Sequence, residues 1–111
     1  MEIAFRTRKL EKAFNSENAL QKTYGAKMAR VMMTRMAVLR SARSLVLVPT
    51  TPPDRRHQLS GDRREQFAVD LVQPYRLAFE ANHEPIPRKE DGGIDTERVT
   101  SITILDVVDY H

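Results

Sequence analysis

Three residues in a row at the end of the chain, Asp109, Tyr110 and His111, carry groups that can accept, donate or orient a proton. They follow residues 101–108, whose alternating and β-branched pattern is typical of a strand. An ordinary terminus is a polar tail with no need for such groups. We therefore expect the last strand to carry a functional site to one edge of a sheet.

Two residues from earlier parts of the chain, His57 and Arg76, would complete a set able to cleave RNA without a metal. That reaction needs a base for the 2′-hydroxyl, a cation for the phosphate and an acid for the leaving 5′-oxygen. An imidazole, with an unperturbed pKa of about 6.5, serves as acid or base, so His57 and His111 could divide these roles. Arg76 is always charged and can grip two phosphate oxygens. Asp109 could orient a histidine or share the base role.

Each of these residues also has an ordinary structural interpretation. A histidine in a polar segment, such as His57, is more often a surface or capping residue than a catalyst. An arginine in mid-strand is more often paired with a carboxylate, and Asp70 and Asp106 are the candidates for Arg76. Tyr110 could stack on a nucleobase or donate a hydrogen bond, or it could simply cap the core.

Other chemistries have little support in the sequence. The histidines are too scattered for a helical metal pair, and there are no cysteines to hold zinc, so we expect neither a metal nor a cofactor. Gly92 and Gly93 are not followed by the Lys-Ser/Thr of a phosphate-binding loop. Ser60 lacks the strand-to-helix context of a serine nucleophile.

Size and composition predict one cytoplasmic domain spanning residues 1–111. A chain of 111 residues without cysteine suits a single modest core in a reducing compartment, and no apolar run approaches a membrane span. Charge is uneven: residues 1–64 hold fourteen Lys and Arg against five Asp and Glu, and residues 65–111 hold four against ten. The resulting basic face suits phosphates, although it could equally be a solvated helix surface.

The elements that must position the site can be read from periodicity. A short strand is predicted around Ile3 and Phe5, followed by helices over Arg8–Phe14 and Ala26–Arg43. Apolar residues recur along the second helix at spacings of three and four and should pack into the core: Met28, Val31, Met32, Met36 and Leu39. The prolines of residues 48–53 make a connector to His57.

The later part of the chain predicts a hairpin and a final strand. Strands are expected over Gln66–Val72 and Tyr75–Glu80. Alternation places Phe67, Val69 and Leu71 on one face of the first strand, and Tyr75, Leu77 and Phe79 on the matching face of the second. Residues 81–98, rich in proline, glycine and charge, predict a flexible insert before a strand at about 99–108. The order predicts an α+β fold, with an N-terminal strand and two helices packed on an antiparallel sheet.

Three segments in this order resemble the HigB toxins of the RelE/ParE superfamily: Arg56-His57-Gln58-Leu59-Ser60-Gly61, Pro74-Tyr75-Arg76-Leu77-Ala78-Phe79 with the strand before it, and Asp109-Tyr110-His111. The resemblance covers nearly the whole chain and implies a RelE-like fold. It further implies a ribosome-dependent mRNA endoribonuclease, the toxin of a type II toxin–antitoxin pair. The cleavage site would then contain His57, Arg76, Asp109, Tyr110 and His111.

The resemblance also implies partners. These are the ribosome with its mRNA and a helix-turn-helix antitoxin of the HigA type, with operator DNA reached only through the antitoxin. The cations expected to contact RNA or the ribosome are Lys27, Arg30, Arg40, Arg56, Arg63 and Arg64. The chain lacks the Trp often found in strands of related toxins, with Phe67 and Tyr75 in those places. Two alternatives stay open: a ParE-like inhibitor of DNA gyrase without nuclease activity, and a degenerate toxin that only binds its antitoxin.

Overall fold

The computed structural model describes residues 1–109, and within them three helices cover one face of a five-stranded sheet. The helices are α1 (Arg8–Phe14), α2 (Glu17–Tyr24) and α3 (Ala26–Ser41). The strands are β1 (Glu2–Phe5), β2 (His57–Gln58), β3 (Gln66–Asp70), β4 (Tyr75–Ala81) and β5 (Ser101–Asp109), in the spatial order β1-β5-β4-β3-β2. The predicted small α+β fold is confirmed.

Helix α2 is an element that periodicity did not predict. Ser16 caps its N-terminus, where the hydroxyl accepts a hydrogen bond from the Ala19 amide. Gly25 caps its C-terminus with a φ of 85°, a conformation that favours glycine. Over eight residues only Leu20 is buried. A single buried residue gives no periodic pattern. The prediction therefore contained two helices instead of three.

Helix α3 confirms the predicted methionine-rich stripe. Met28, Met32, Met36 and Leu39 are buried in the core, and Val31 packs at its margin. The helix ends at Ser41, two residues before the predicted end at Arg43. The stripe also contains a buried cation, Arg35, which the periodicity did not indicate.

The β3–β4 hairpin has the predicted facing residues. Phe67 pairs with Phe79, their ring centroids 6.1 Å apart, and Val69 pairs with Leu77. Strand β3 ends at Asp70 and not at Val72, because Leu71 and Val72 form the turn through hydrogen bonds with Tyr75. Tyr75, predicted on the same face as Leu77 and Phe79, is 39% exposed, since it begins β4 and pairs with Asp109 at the end of β5.

The sheet is mixed, whereas an antiparallel sheet was predicted. Strand β1 runs parallel to β5, with Glu2 opposite Ser101 and Phe5 opposite Ile104. The sequence of a short strand carries no sign of its direction, because alternation is the same in both pairings. The other described pairs are antiparallel.

The predicted insert begins at residue 82, because Ala81 belongs to β4. Its tip is closed by a bridge between Arg88 and Ile94, and Ile94 and Val99 are buried in the core. The amides of Leu45 and Val46 donate hydrogen bonds to the carbonyl oxygens of Val99 and Thr96, at 2.9 Å and 3.1 Å. The segment is thus packed against the chain that follows α3, and its flexibility stays a prediction.

Candidate active site on the helix-free face of the sheet

The face of the sheet that the helices leave uncovered has a floor of small side chains. Register places His57, Ala68, Ala78 and Asp106 in one row across four strands. Both alanines are fully buried and form a small apolar cluster with Leu59. Because alanine is short, this floor leaves room above it for long polar side chains from either side. We call it the helix-free face.

A shaped connector brings His57 to this face. After the prolines, the Arg55 and Arg56 amides donate to the carbonyls of Thr51 and Pro49, each at 2.9 Å. Arg55 has a φ of 47°, the left-handed region that is uncommon for a residue other than glycine. This tight bend turns the chain so that His57 can pair with Ala68 in the two-residue strand β2.

His57 and Arg76, predicted as catalytic from distant parts of the sequence, are in direct contact. The Nε2 atom of His57 lies 3.2 Å from Nη1 of Arg76, and its Nδ1 lies 2.7 Å from the carbonyl oxygen of Arg55. A guanidinium can only donate, so Nε2 accepts and Nδ1 carries the proton. This geometry therefore corresponds to the neutral imidazole with its reactive lone pair directed at Arg76.

Asp70 holds the guanidinium groups of both Arg55 and Arg76. Its carboxylate accepts from Arg55 Nε at 2.6 Å and lies 3.7 Å from Arg76 Nε, so one of the carboxylate pairings considered for Arg76 is present. The hydrogen bond from the Arg55 guanidinium to Asp70 raises the pKa of Arg55 above its usual value. Arg55 was not predicted as a site residue, and the only signal for it was its place in the basic run before His57. Asp70 was considered only as a partner.

The terminal part of the predicted site is described only as far as Asp109. Register pairs Asp109 with Tyr75, one residue beyond the pair of Arg76 and Val108. Asp109 thus lies at the same end of the sheet as Arg76, but strand alternation places the two side chains on opposite faces. Its side chain is exposed. Tyr110 and His111 lie outside the described residues.

The predicted RNA-contacting cations separate into two groups. Lys27, Arg30 and Arg40 are exposed on the outside of α3, across the sheet from His57.

The second group lies in the chain segments just before and after β2. Arg56 is partly buried, donates to the Val48 carbonyl at 3.0 Å, and has its pKa lowered by that burial. Arg63 forms an ion pair with Asp106 at 3.0 Å. Asp106 was the second carboxylate considered as a partner for Arg76. Arg64 is exposed.

A cavity of about 300 Å³ lies between α1, α2 and β5, and Asp106 is one of its lining residues. Its lining residues include Leu10, Tyr24 and Leu105, and none of His57, Arg55 or Arg76. Across residues 1–109, no three His, Asp or Glu side chains are grouped so as to hold a metal ion. No helix in that range has the length and apolar character to cross a membrane.

Comparison with solved structures shows the fold class. The chain is similar to a YoeB/ParE toxin from Agrobacterium tumefaciens, with a TM-score of 0.57 over 100% of both chains and 7% sequence identity. No family model and no curated protein sequence matches it. Three helices on a mixed sheet, in this arrangement, make the fold that of a YoeB/ParE toxin. At such low identity the likeness concerns the fold alone.

Proposed function

We propose that the chain is the toxin of a type II toxin–antitoxin pair and an endoribonuclease that cleaves mRNA on the ribosome. The observation that carries the proposal is the contact between His57 Nε2 and Arg76 Nη1 on the helix-free face of a toxin fold. An acid–base group beside a permanent cation suits the cleavage of an RNA phosphodiester by its own 2′-hydroxyl. The resemblance to the HigB toxins supports the same reaction.

The cleavage needs no metal. A base removes the proton from a 2′-hydroxyl, the oxygen attacks the adjacent phosphorus, and the bond to the 5′-oxygen breaks as an acid protonates that oxygen. Arg76 holds the two non-bridging oxygens while negative charge builds on them. Arg55, already beside Asp70, adds a second cation. When Arg76 turns to the phosphate, His57 Nε2 becomes available to take or give the proton.

The three terminal residues supply the other half of the proton transfer. His111 takes the acid or base role that His57 leaves, Asp109 orients a histidine or shares the base role, and Tyr110 donates a hydrogen bond or stacks on a base. The role of Asp109 rests on the resemblance alone, because Asp109 pairs with Tyr75 and strand alternation directs its side chain to the face opposite Arg76.

The ribosome is the proposed source of substrate geometry. A chain of 12.8 kDa offers little surface to hold an RNA strand in line for attack, and orientation is a large part of the rate enhancement. The antitoxin would be a helix-turn-helix protein of the HigA type, and operator DNA would be reached through it.

Truncation after Asp109 tests the assignment of the terminal residues. Deletion of Tyr110 and His111 removes residues beyond the buried part of β5, so the melting temperature should change little. Cleavage should fall about 10²- to 10⁴-fold, because a general acid or base is lost. The readouts are growth arrest on induction and mapping of mRNA ends with and without ribosomes. A truncated chain that folds and still cleaves would contradict the roles of Tyr110 and His111, and equal cleavage of naked RNA would contradict ribosome dependence.

A gyrase-inhibiting function of the ParE kind is the second candidate. The observation that favours it is that Arg55, Asp70, Arg76 and His57 already satisfy one another, as a purely structural network would. It predicts inhibition of DNA supercoiling by purified protein with no change in mRNA ends. A degenerate toxin that only binds its antitoxin would do neither.

A further inference from the structure

A buried arginine in α3 is the feature of the fold that the proposed mechanism does not use. Arg35 is 8% exposed and stands in the stripe that contains Met32 and Met36. A buried charge is costly unless it is paired and hydrogen-bonded. Methionine at this position would continue the apolar stripe. The presence of a buried arginine there therefore requires a physical explanation.

Arg35 crosses to the end of β3 and joins two segments. Its Nε donates to the carbonyl oxygen of Asp70 at 2.6 Å and lies 3.8 Å from Oδ1 of Asp54, which is itself 6% exposed. The Asp70 amide donates to the Asp54 carbonyl at 2.8 Å. Both backbone polar groups of Asp70 are therefore engaged by Arg35 and Asp54.

Both joined segments carry residues of the candidate active site. Asp54 directly precedes Arg55, whose carbonyl oxygen orients His57 Nδ1. The Asp70 carboxylate holds Arg55 and Arg76. A displacement of either segment would therefore change the distance between His57 and Arg76.

Stability alone is a poor explanation for this arrangement. Replacement of a buried ion pair by packed apolar side chains of similar size is often neutral or stabilising. A guanidinium that spans the connector and the end of β3 does something an apolar side chain cannot, because its hydrogen bonds are directional.

We infer that Arg35 is a positioning residue, which sets the His57–Arg76 pair from the helical side of the sheet through Asp54 and the backbone of Asp70. It touches no reacting group and acts through these two aspartates. Its catalytic consequence rests on the proposed function, whereas its effect on the imidazole does not.

The test compares Arg35→Met, Arg35→Lys and Asp54→Asn with the control Met36→Ala. The primary readout is the ¹⁵N chemical shifts of the His57 ring, assigned with a His57→Gln variant, because they report which ring nitrogen carries the proton. Met36→Ala should lower the melting temperature and leave the shifts unchanged. Arg35→Met should move them toward a mixture of the two tautomers, with a smaller change in the same direction for Arg35→Lys.

Asp54→Asn keeps the size of the side chain and the bond from Arg35 to the Asp70 carbonyl, so it carries the test if Arg35→Met does not fold. It should also shift the His57 signals, by less. Wild-type signals in a folded Arg35→Met or in Asp54→Asn would overturn the inference. Equal shifts in Met36→Ala would overturn it too, because destabilisation alone would then be the cause.

Kinetics separate this inference from the proposed function. In Arg35→Met, kcat for ribosome-bound mRNA should fall up to about 10²-fold with KM little changed, since misplacement of about 1 Å can cost that much. If the wild-type chain cleaves no RNA and Arg35→Met still shifts the His57 signals, the positioning stands and the nuclease proposal fails. Cleavage by the wild type with unaltered His57 signals in Arg35→Met supports the nuclease and overturns the positioning role.

Discussion

The Arg76 guanidinium contacts both a carboxylate, Asp70, and an imidazole, His57. The Asp70 carboxylate lies 3.7 Å from Arg76 Nε, as in a structural ion pair, and His57 Nε2 lies 3.2 Å from Arg76 Nη1, as the proposed chemistry requires. A phosphate that enters the helix-free face would compete with both. Its charge would draw the guanidinium from the imidazole, and the carboxylate would keep Arg55.

Substitution of Arg76 tests this dual role. Arg76→Ala should reduce mRNA cleavage about 10²- to 10³-fold, because it removes a charge that stabilises the transition state. Arg76→Lys should recover only part of the activity, since lysine keeps the charge and loses the two-pronged geometry. The measurement is single-turnover cleavage on ribosomes.

Thermal melts should show that the Arg76 variants remain folded. The ion pair is partly exposed and Asp70 retains Arg55, so the free energy of unfolding should fall by about 1 kcal/mol or less. Arg8→Ala, at an exposed position of α1, is the matched control and should keep full activity. Wild-type cleavage by Arg76→Ala would show that this cation takes no part in the chemistry.

At the level of elements, an ion pair fastens the long connection between β4 and β5. Arg88 donates to the carboxylate of Glu65 and to the carbonyl oxygen of Gly92 at 3.0 Å. The hydrogen bond from Arg88 lowers the pKa of Glu65 below its usual value. A carboxylate with a lowered pKa in the folded state contributes stability above its unfolded pKa and loses it as the pH falls through its folded pKa.

Hydrogen exchange should therefore show acid loosening of this connection. Amide protection at Lys89 and Gly92, corrected for intrinsic exchange, should decrease on acidification of the wild type. Glu65→Gln should already have the lower protection at neutral pH and show no further decrease. The change in protection should be only about twofold, because both side chains are over two-fifths exposed and solvent screens their attraction.

Glu90→Gln provides the control, because Glu90 is an exposed carboxylate of the same connection. It should behave as the wild type. If Glu65→Gln keeps the wild-type protection at every pH, this ion pair does not fasten the connection.

On the scale of the whole molecule, cations lie on both sides of the sheet. Those near His57 are engaged with Asp70, Asp106 or a backbone carbonyl, whereas Lys27, Arg30 and Arg40 are exposed on α3. Under the proposed function, the surface around His57 carries out the chemistry and the exposed face of α3 contacts ribosomal RNA. Phosphate contacts of the second kind position a protein without specifying sequence.

Charge reversal on α3 tests this division. The triple variant Lys27→Glu, Arg30→Glu, Arg40→Glu should bind ribosomes more weakly, and the salt dependence of binding should decrease by about one unit of slope for each lost phosphate contact. Cleavage by ribosome-bound protein should be unchanged. The control reverses Arg8, Lys12 and Lys22, which gives the same net charge on a different surface. Equal loss in both variants would show that net charge, and not this face, determines binding.

Much of the fold followed from local pattern. The stripe of α3 and the facing of Phe67 and Phe79 were predictable, because burial of one face imposes a period of 3.6 in a helix and of two in a strand. The chemical types of His57 and Arg76 were enough to mark both residues as candidates for a site. Residue types and short-range periodicity are properties that a sequence states directly.

What the sequence left undecided depends on contacts between distant segments. The parallel direction of β1, the burial of Arg35 and the place of Arg55 beside Asp70 leave no periodic trace. His57 and Arg76 were candidates separated by nineteen positions, and only the packing of β2, β3 and β4 brought them to 3.2 Å. Hydrogen bonds and ion pairs act over a few ångströms in space, so their partners are determined by the tertiary fold and not by position along the chain.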